Sequence, residues 1–150
     1  MDQTGMKRLG TCVVAVHDGR VLIGNNIRKG GWEFAGGKNQ QDEAMADTAV
    51  REFCEETGVQ LQPRDLIFLG YEDRDCGWLC FVFAAKFEER PEVRVCEPDA
   101  CLGWKWVSLE DLRAEKDLTT AAALVVHKFD AEIARLMGQS GTAVNATELS

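Results

Sequence analysis

Between residues 36 and 59 the chain carries a glycine pair, a stretch free of Gly and Pro from Glu43 to Thr57, and a single glycine at position 58. Within that stretch Ala46, Ala49, Val50, Phe53 and Cys54 recur at helical spacing, which predicts a helix over 43–57 with one buried stripe. At ~100° per residue, Glu52, Glu55 and Glu56 then share roughly one quadrant of the helix surface. Stacking like charges at i, i+4 costs roughly 0.2–0.5 kcal/mol per pair, so a cation is needed to offset the repulsion. Arg51, four residues before Glu55, can hold one carboxylate and cannot neutralise three. Oxygen ligands gathered without His or Cys suit Mg²⁺ or Mn²⁺ better than Zn²⁺. Gly58 is placed to end the helix in left-handed geometry. Gly36-Gly37 permits a tight turn ahead of the helix and exposes a backbone carbonyl that could join the carboxylates as a ligand. A Glu-Glu pair alone is ordinary solvated helix surface; the glycine loop before it turns the pattern toward a metal site.

The segment Gly37-Lys-Asn-Gln-Gln-Asp-Glu43, continued through Arg51-Glu52-Phe53-Cys-Glu55-Glu56-Thr-Gly58-Val59, matches every fixed position of the Nudix box, G-x5-E-x7-R-E-U-x-E-E-x-G-U with U apolar. The chain thus resembles the Nudix hydrolases. Trp32-Glu-Phe-Ala-Gly-Gly-Lys38 is similar to the W-E-F-P-G-G-K that opens the box in MutT-type nucleotide hydrolases, with Ala35 at the proline position. Glu97-Pro-Asp-Ala-Cys-Leu-Gly-Trp104-Lys-Trp106-Val107 is similar to a segment of MutT-like triphosphate diphosphatases. A glycine commonly precedes the first box glutamate, and Asp42 stands there instead.

The resemblance implies an α/β Nudix fold, an α/β/α sandwich around a mixed β-sheet. It implies Glu52, Glu55 and Glu56 as metal ligands, with the carbonyl of Gly36 or Gly37 beside them, and Arg51 as the orienting partner. Glu43 would brace Arg51 or the loop from the outer shell. Glu97 would be a downstream carboxylate reaching a metal or a water, and Glu52 and Glu97 are both candidates for the general base. The implied reaction is Mg²⁺-dependent hydrolysis, with Mn²⁺ as a possible substitute, of a (deoxy)nucleoside triphosphate to the monophosphate and pyrophosphate. Oxidised or unwanted nucleotides are one substrate class, with a purine expected ahead of a pyrimidine and oxidised dGTP as one case, and a homodimer is consistent with the family. The proline and tyrosine positions that mark relatives acting on ADP-ribose or dinucleoside polyphosphates are held here by Asp73, Arg74, Asp75 and Cys76. Nucleotide sugars, dinucleotides, capped RNA ends and a non-catalytic sensing module are the alternatives.

One hundred and fifty residues, 45% of them hydrophobic, suit one domain, expected over 1–137, with a polar C-terminal tail at 138–150. No run of about 18 apolar residues and no basic-then-apolar leader appears, so a cytoplasmic protein without a membrane partner is expected. The net charge of −8 argues against stable binding to bulk nucleic acid, which needs clustered Lys and Arg. A small nucleotide remains acceptable where metal ions neutralise its phosphates. Arg28, Lys29 and Lys38 flank the glycine loop as candidates for phosphate contact. Trp32, Phe34, Tyr71 and Trp78 could stack on a base and Glu33 could bond its edge, although each would serve equally as core. Trp104 and Trp106 are expected to face opposite sides of one strand, so that at most one meets a ligand. The six cysteines form no CxxC pair and are expected to be buried, reduced thiols.

The remaining chain predicts a hairpin, Thr11–Val16 and Arg20–Gly24 around His17-Asp18-Gly19. Strands are expected over 66–71, 78–87 and 104–107, with 72–77 as a polar loop. A short helix capped by Ser108 and a longer one from Thr119 or Thr120 to about Met137 complete the pattern.

Overall fold

The computed structural model describes residues 8–74 and 77–138, so the expected tail from 139 onward lies outside the described residues. The elements are β1 (Arg8–His17), β2 (Arg20–Asn26), β3 (Gly31–Glu33), β4 (Ala35–Lys38), α1 (Met45–Thr57), β5 (Leu66–Arg74), β6 (Trp78–Phe87), β7 (Cys101–Ser108), α2 (Leu109–Ala114) and α3 (Thr120–Leu136). β1 and β6 pair in parallel along their full length, from Arg8 opposite Trp78 to His17 opposite Phe87, and every other pairing between these strands is antiparallel. The sheet is therefore mixed. Asp18 and Gly19 both take positive φ, which gives the β1–β2 hairpin the turn geometry its sequence called for.

β1 is buried on both faces, and its alternation separates two cores. Cys12, Val14 and Val16 join Val125, Phe129 and Ile133 of α3, while Val13 and Ala15 join Ala49 and Phe53 of α1. Helices thus cover the sheet from both sides, the expected α/β/α sandwich. Phe53 alone, fully buried, contributes about 1.5–3 kcal/mol by leaving water.

Several expectations change. The first helix starts at Met45 rather than Glu43, because Glu43 turns its side chain back to Thr48 and Arg51 instead of entering the helix. The glycine-rich loop before it contains two short strands, β3 and β4, held against β2 and β1. β5 runs on through Arg74, and Glu72, expected in a polar loop, is only 6% exposed. Trp104 and Trp106 pack against the same cluster, since residues two apart in a strand complete one pleat and share a face. Of the cysteines, Cys12 and Cys80 are buried, Cys54 and Cys101 are partly so, and Cys96 is exposed. Cys76 lies outside the described residues. No described helix is long and apolar enough to cross a membrane.

Candidate active site

The glycine pair sits in β4, beside β1 and beneath α1. A Cβ on Gly36 would stand 2.1 Å from the Thr11 carbonyl oxygen, and one on Gly37 would stand 2.2 Å from Glu52 Cδ. Only glycines allow β4 to approach both the backbone of β1 and the acidic face of α1. The Gly36 N–H donates to Glu56 Oε1 at 3.0 Å, tying the last box glutamate to the loop.

Arg51 gathers the start of the site. Its Nε–H donates to Glu43 Oε2 at 2.7 Å, Nη2 to Glu43 Oε1 and to the Lys38 carbonyl, and Nη1 to Glu52 at 3.1 Å and Glu55 at 3.3 Å. Glu43 also accepts from the Thr48 hydroxyl and the Gln40 N–H. These bonds, Arg51 foremost, hold its carboxyl down at about 2. Asn39 donates to the Glu43 carbonyl and to Thr48, so the entry to α1 is fixed by side chains despite Ala44 at the N-cap. Asp42, in the usual glycine position, adopts φ +67°, a left-handed conformation that Asp tolerates better than most residues.

Helix α1 ends at Gly58, whose φ is +78° and whose N–H donates to the Cys54 carbonyl. Along the helix Glu52 is partly buried, Glu55 exposed and Glu56 partly buried. Burial pushes the Glu52 carboxyl up, and Glu55 and Glu97 add to the push against Arg51. Burial likewise pushes Glu56 up to about 8; the Gly36 N–H opposes this, while Glu52, Glu97 and Glu33 reinforce it. Glu33, Glu56 and Glu97 line one small cavity of about 40 Å³, together with Asn26, Cys101 and Trp104. Among the described residues no three Asp, Glu, His or Cys side chains already converge as a closed metal cage. The arrangement instead is a crowd of partly buried carboxylates around a backbone amide, short of cations on the Glu56 side. That donor set fits a hard divalent ion that keeps some of its waters.

Glu33 links this cavity to a second one. Its Oε2 accepts from Asn26 Nδ2 at 2.5 Å and its Oε1 from the Thr119 hydroxyl at 3.3 Å, with Lys29 Nζ 3.5 Å away. The second cavity, about 400 Å³, lies on the α3 side of the sheet and is lined by Glu33, Phe34, Lys29, Lys38, Arg74 and Trp78 among others. Of the phosphate candidates, Lys29 and Lys38 line it, whereas exposed Arg28 pairs with Asp99 at 3.5 Å. Of the base candidates, Phe34, Glu33 and Trp78 line it. Trp32 packs instead under Lys105 Nζ at 4.1 Å, and Tyr71 meets Phe81 at a tilt of 47° on the α1 side. Asn26 and Arg74 were not foreseen from the sequence, because only strand pairing brings them to the cavities.

A NUDIX domain model matches residues 6–129. Nucleoside diphosphate-linked moiety X motif 6 from Mus musculus is 32% identical over 109 residues, 70% of this chain and 34% of that protein. The RNA pyrophosphohydrolase of Bartonella tribocorum is 27% identical over 132 residues, covering 67% of this chain and 75% of that one. The chain thus spans about a third of the mouse relative and three quarters of the bacterial one. Among solved structures, the MutT NUDIX hydrolase from Burkholderia pseudomallei aligns with a TM-score of 0.70 at 30% identity, over 80% of this chain and 95% of that one. A bifunctional NMN adenylyltransferase/ADP ribose pyrophosphatase from Francisella tularensis, complexed with AMP and a Mn ion, shares the fold at 19% identity and a TM-score of 0.67, over 85% of this chain and 42% of that one.

Proposed function

The chain belongs to the NUDIX family, whose hydrolases act on pyrophosphate bonds, and we propose that it hydrolyses a (deoxy)nucleoside triphosphate to a nucleoside monophosphate and pyrophosphate with Mg²⁺. The observation that carries this is Glu56, which accepts from the Gly36 N–H at 3.0 Å beside Glu52, Glu97 and Glu33; burial, and after it those three carboxylates, push its carboxyl up to about 8 against the pull of the Gly36 N–H. Glu52, Glu55 and Glu56, with Glu97 and the backbone of Gly36-Gly37, would hold the metal, and Mn²⁺ would fit the same oxygens. When bound, such ions supply a lowered water pKa and neutralise phosphate charge.

The remaining work falls to the chain. Arg51 fixes the rotamers of Glu52 and Glu55 while Glu43 anchors Arg51 itself. Glu52 or Glu97 takes the proton from the attacking water, because both are carboxylates beside Glu56. Lys29 and Lys38 meet the phosphates where the larger cavity opens onto the glycine loop. Removal of oxidised or unwanted nucleotides is a role that fits this reaction, and a cytoplasmic setting fits it too. A homodimer is part of the same family-based expectation.

A second reading is the triphosphate end of an RNA, favoured by relatives named RNA pyrophosphohydrolase at 27–32% identity. The net charge of −8 weighs against a long polyanion. Purified protein with Mg²⁺ should be screened by mass spectrometry against (d)NTPs, oxidised (d)NTPs, nucleotide sugars, dinucleoside polyphosphates and a 5′-triphosphorylated RNA, beside Glu55→Gln. Monophosphate plus pyrophosphate from a free triphosphate, lost in the variant, supports the proposal. Turnover of RNA or linked dinucleotides alone replaces the substrate, and binding without turnover of anything points to a sensing module.

A further inference from the structure

One row of paired residues crosses four strands: Lys38 on β4 faces Gly10 on β1, Gly10 faces Cys80 on β6, and Cys80 faces Glu72 on β5. The next row on the α3 side sets Arg74 opposite Trp78 and Trp78 opposite Arg8. The cavity of about 400 Å³ follows this line from the glycine loop to Arg74 and Trp78. Three strand spacings make roughly 14 Å, the reach of a nucleotide from its phosphates to its base.

The far end has a defined chemistry. Glu72, 6% exposed, accepts from Arg74 Nε at 3.0 Å and so fixes the plane of the guanidinium and balances its charge. A second phosphate gains little from a cation already neutralised. The floor is apolar, with Cys12, Ala122 and Val125, and the Trp78 ring lies across Gly10, within 3.7 Å of where a Cβ would be. Arg carries donors only and stays protonated, so the ligand group it meets must be an acceptor.

We propose that Arg74, held by Glu72 beside Trp78, is the specificity determinant for the base and selects a 6-oxopurine, guanine or hypoxanthine, over adenine. The assignment rests on the triphosphatase function given above and narrows its substrate. The O6 of a 6-oxopurine accepts where the N6 amino group of adenine would set donor against donor. A two-ring base suits a cavity of this volume.

The test measures kcat/KM for GTP, ITP and ATP with Mg²⁺ in the wild type and in Arg74→Lys, which keeps a cation beside the buried Glu72 and loses the planar fork. GTP and ITP should exceed ATP by at least about tenfold, and Arg74→Lys should bring the ratio to within about threefold. A merely structural Arg74 would lower all three alike, and that result, or a wild-type ratio near one, overturns the assignment. Titration with GMP and AMP by intrinsic tryptophan fluorescence separates this from failure of the triphosphatase function. If no triphosphate turns over, tighter GMP than AMP binding that is levelled by Arg74→Lys still upholds the base assignment. Equal binding of the two, or of neither, sinks it.

Discussion

Glu52 lies so close to Gly37 that a Cβ on the glycine would stand 2.4 Å from the glutamate Oε2 and 2.6 Å from its Oε1. The glycine therefore sets the position of the carboxylate, which Arg51 Nη1 then grips at 3.1 Å. Loop and helix act as one device at this point, with no slack between them.

Gly37→Ala should displace Glu52 by about an ångström and lower kcat on the order of 100-fold. The fold should persist, because the clash falls on a side chain that can swing toward solvent. Kinetics beside circular dichroism would check this; a variant with normal turnover would show that the position of Glu52 is not critical.

Metal binding should register as stability. With Mg²⁺ at 100 times its Kd, linkage gives about 2.7 kcal/mol, or roughly 5–10 °C in Tm for a chain of this size. Glu56→Gln should lose most of that shift yet be no less stable than wild type in EDTA, since it removes a buried acid crowded by others. Thermal melts of both proteins in EDTA and in Mg²⁺ provide the four values needed. An unchanged Mg²⁺ shift in the variant would take Glu56 out of the ligand set.

Glu43 should show itself in acid. Arg51 holds its folded-state carboxyl at about 2 against an ordinary 4.5, so its contribution is complete above 4.5 and is lost as pH falls from 4.5 toward 2. Tm curves of wild type and Glu43→Gln should run parallel above about pH 5 and converge near pH 2. Curves that stay parallel throughout would mean that Glu43 does not titrate this way.

Trp104 lies across Gly24, where a Cβ would stand 2.6 Å from its Cζ3. Gly24→Ala should push the indole off the strand and cost about 1–3 kcal/mol through overpacking. Denaturant unfolding would read that loss, and a neutral result would show that the ring has somewhere to go.

The helix carrying the glutamates, its Gly58 cap, the Asp18-Gly19 turn and the placement of Glu52, Glu55 and Glu56 on one stripe were legible in the sequence. Each depends on periodicity or backbone freedom within a single element, and such rules act over a few residues. Tertiary structure decided what met those glutamates. Glu97 and Glu33 reach Glu56 from a distant loop and another strand, and Arg74 and Trp78 face the larger cavity only because β5 runs on past Tyr71 and pairs with β6. Glu72 looked like a loop acid until pairing turned it inward against Arg74. Strand register links residues far apart in the chain, and composition and spacing alone do not encode which strand lies beside which.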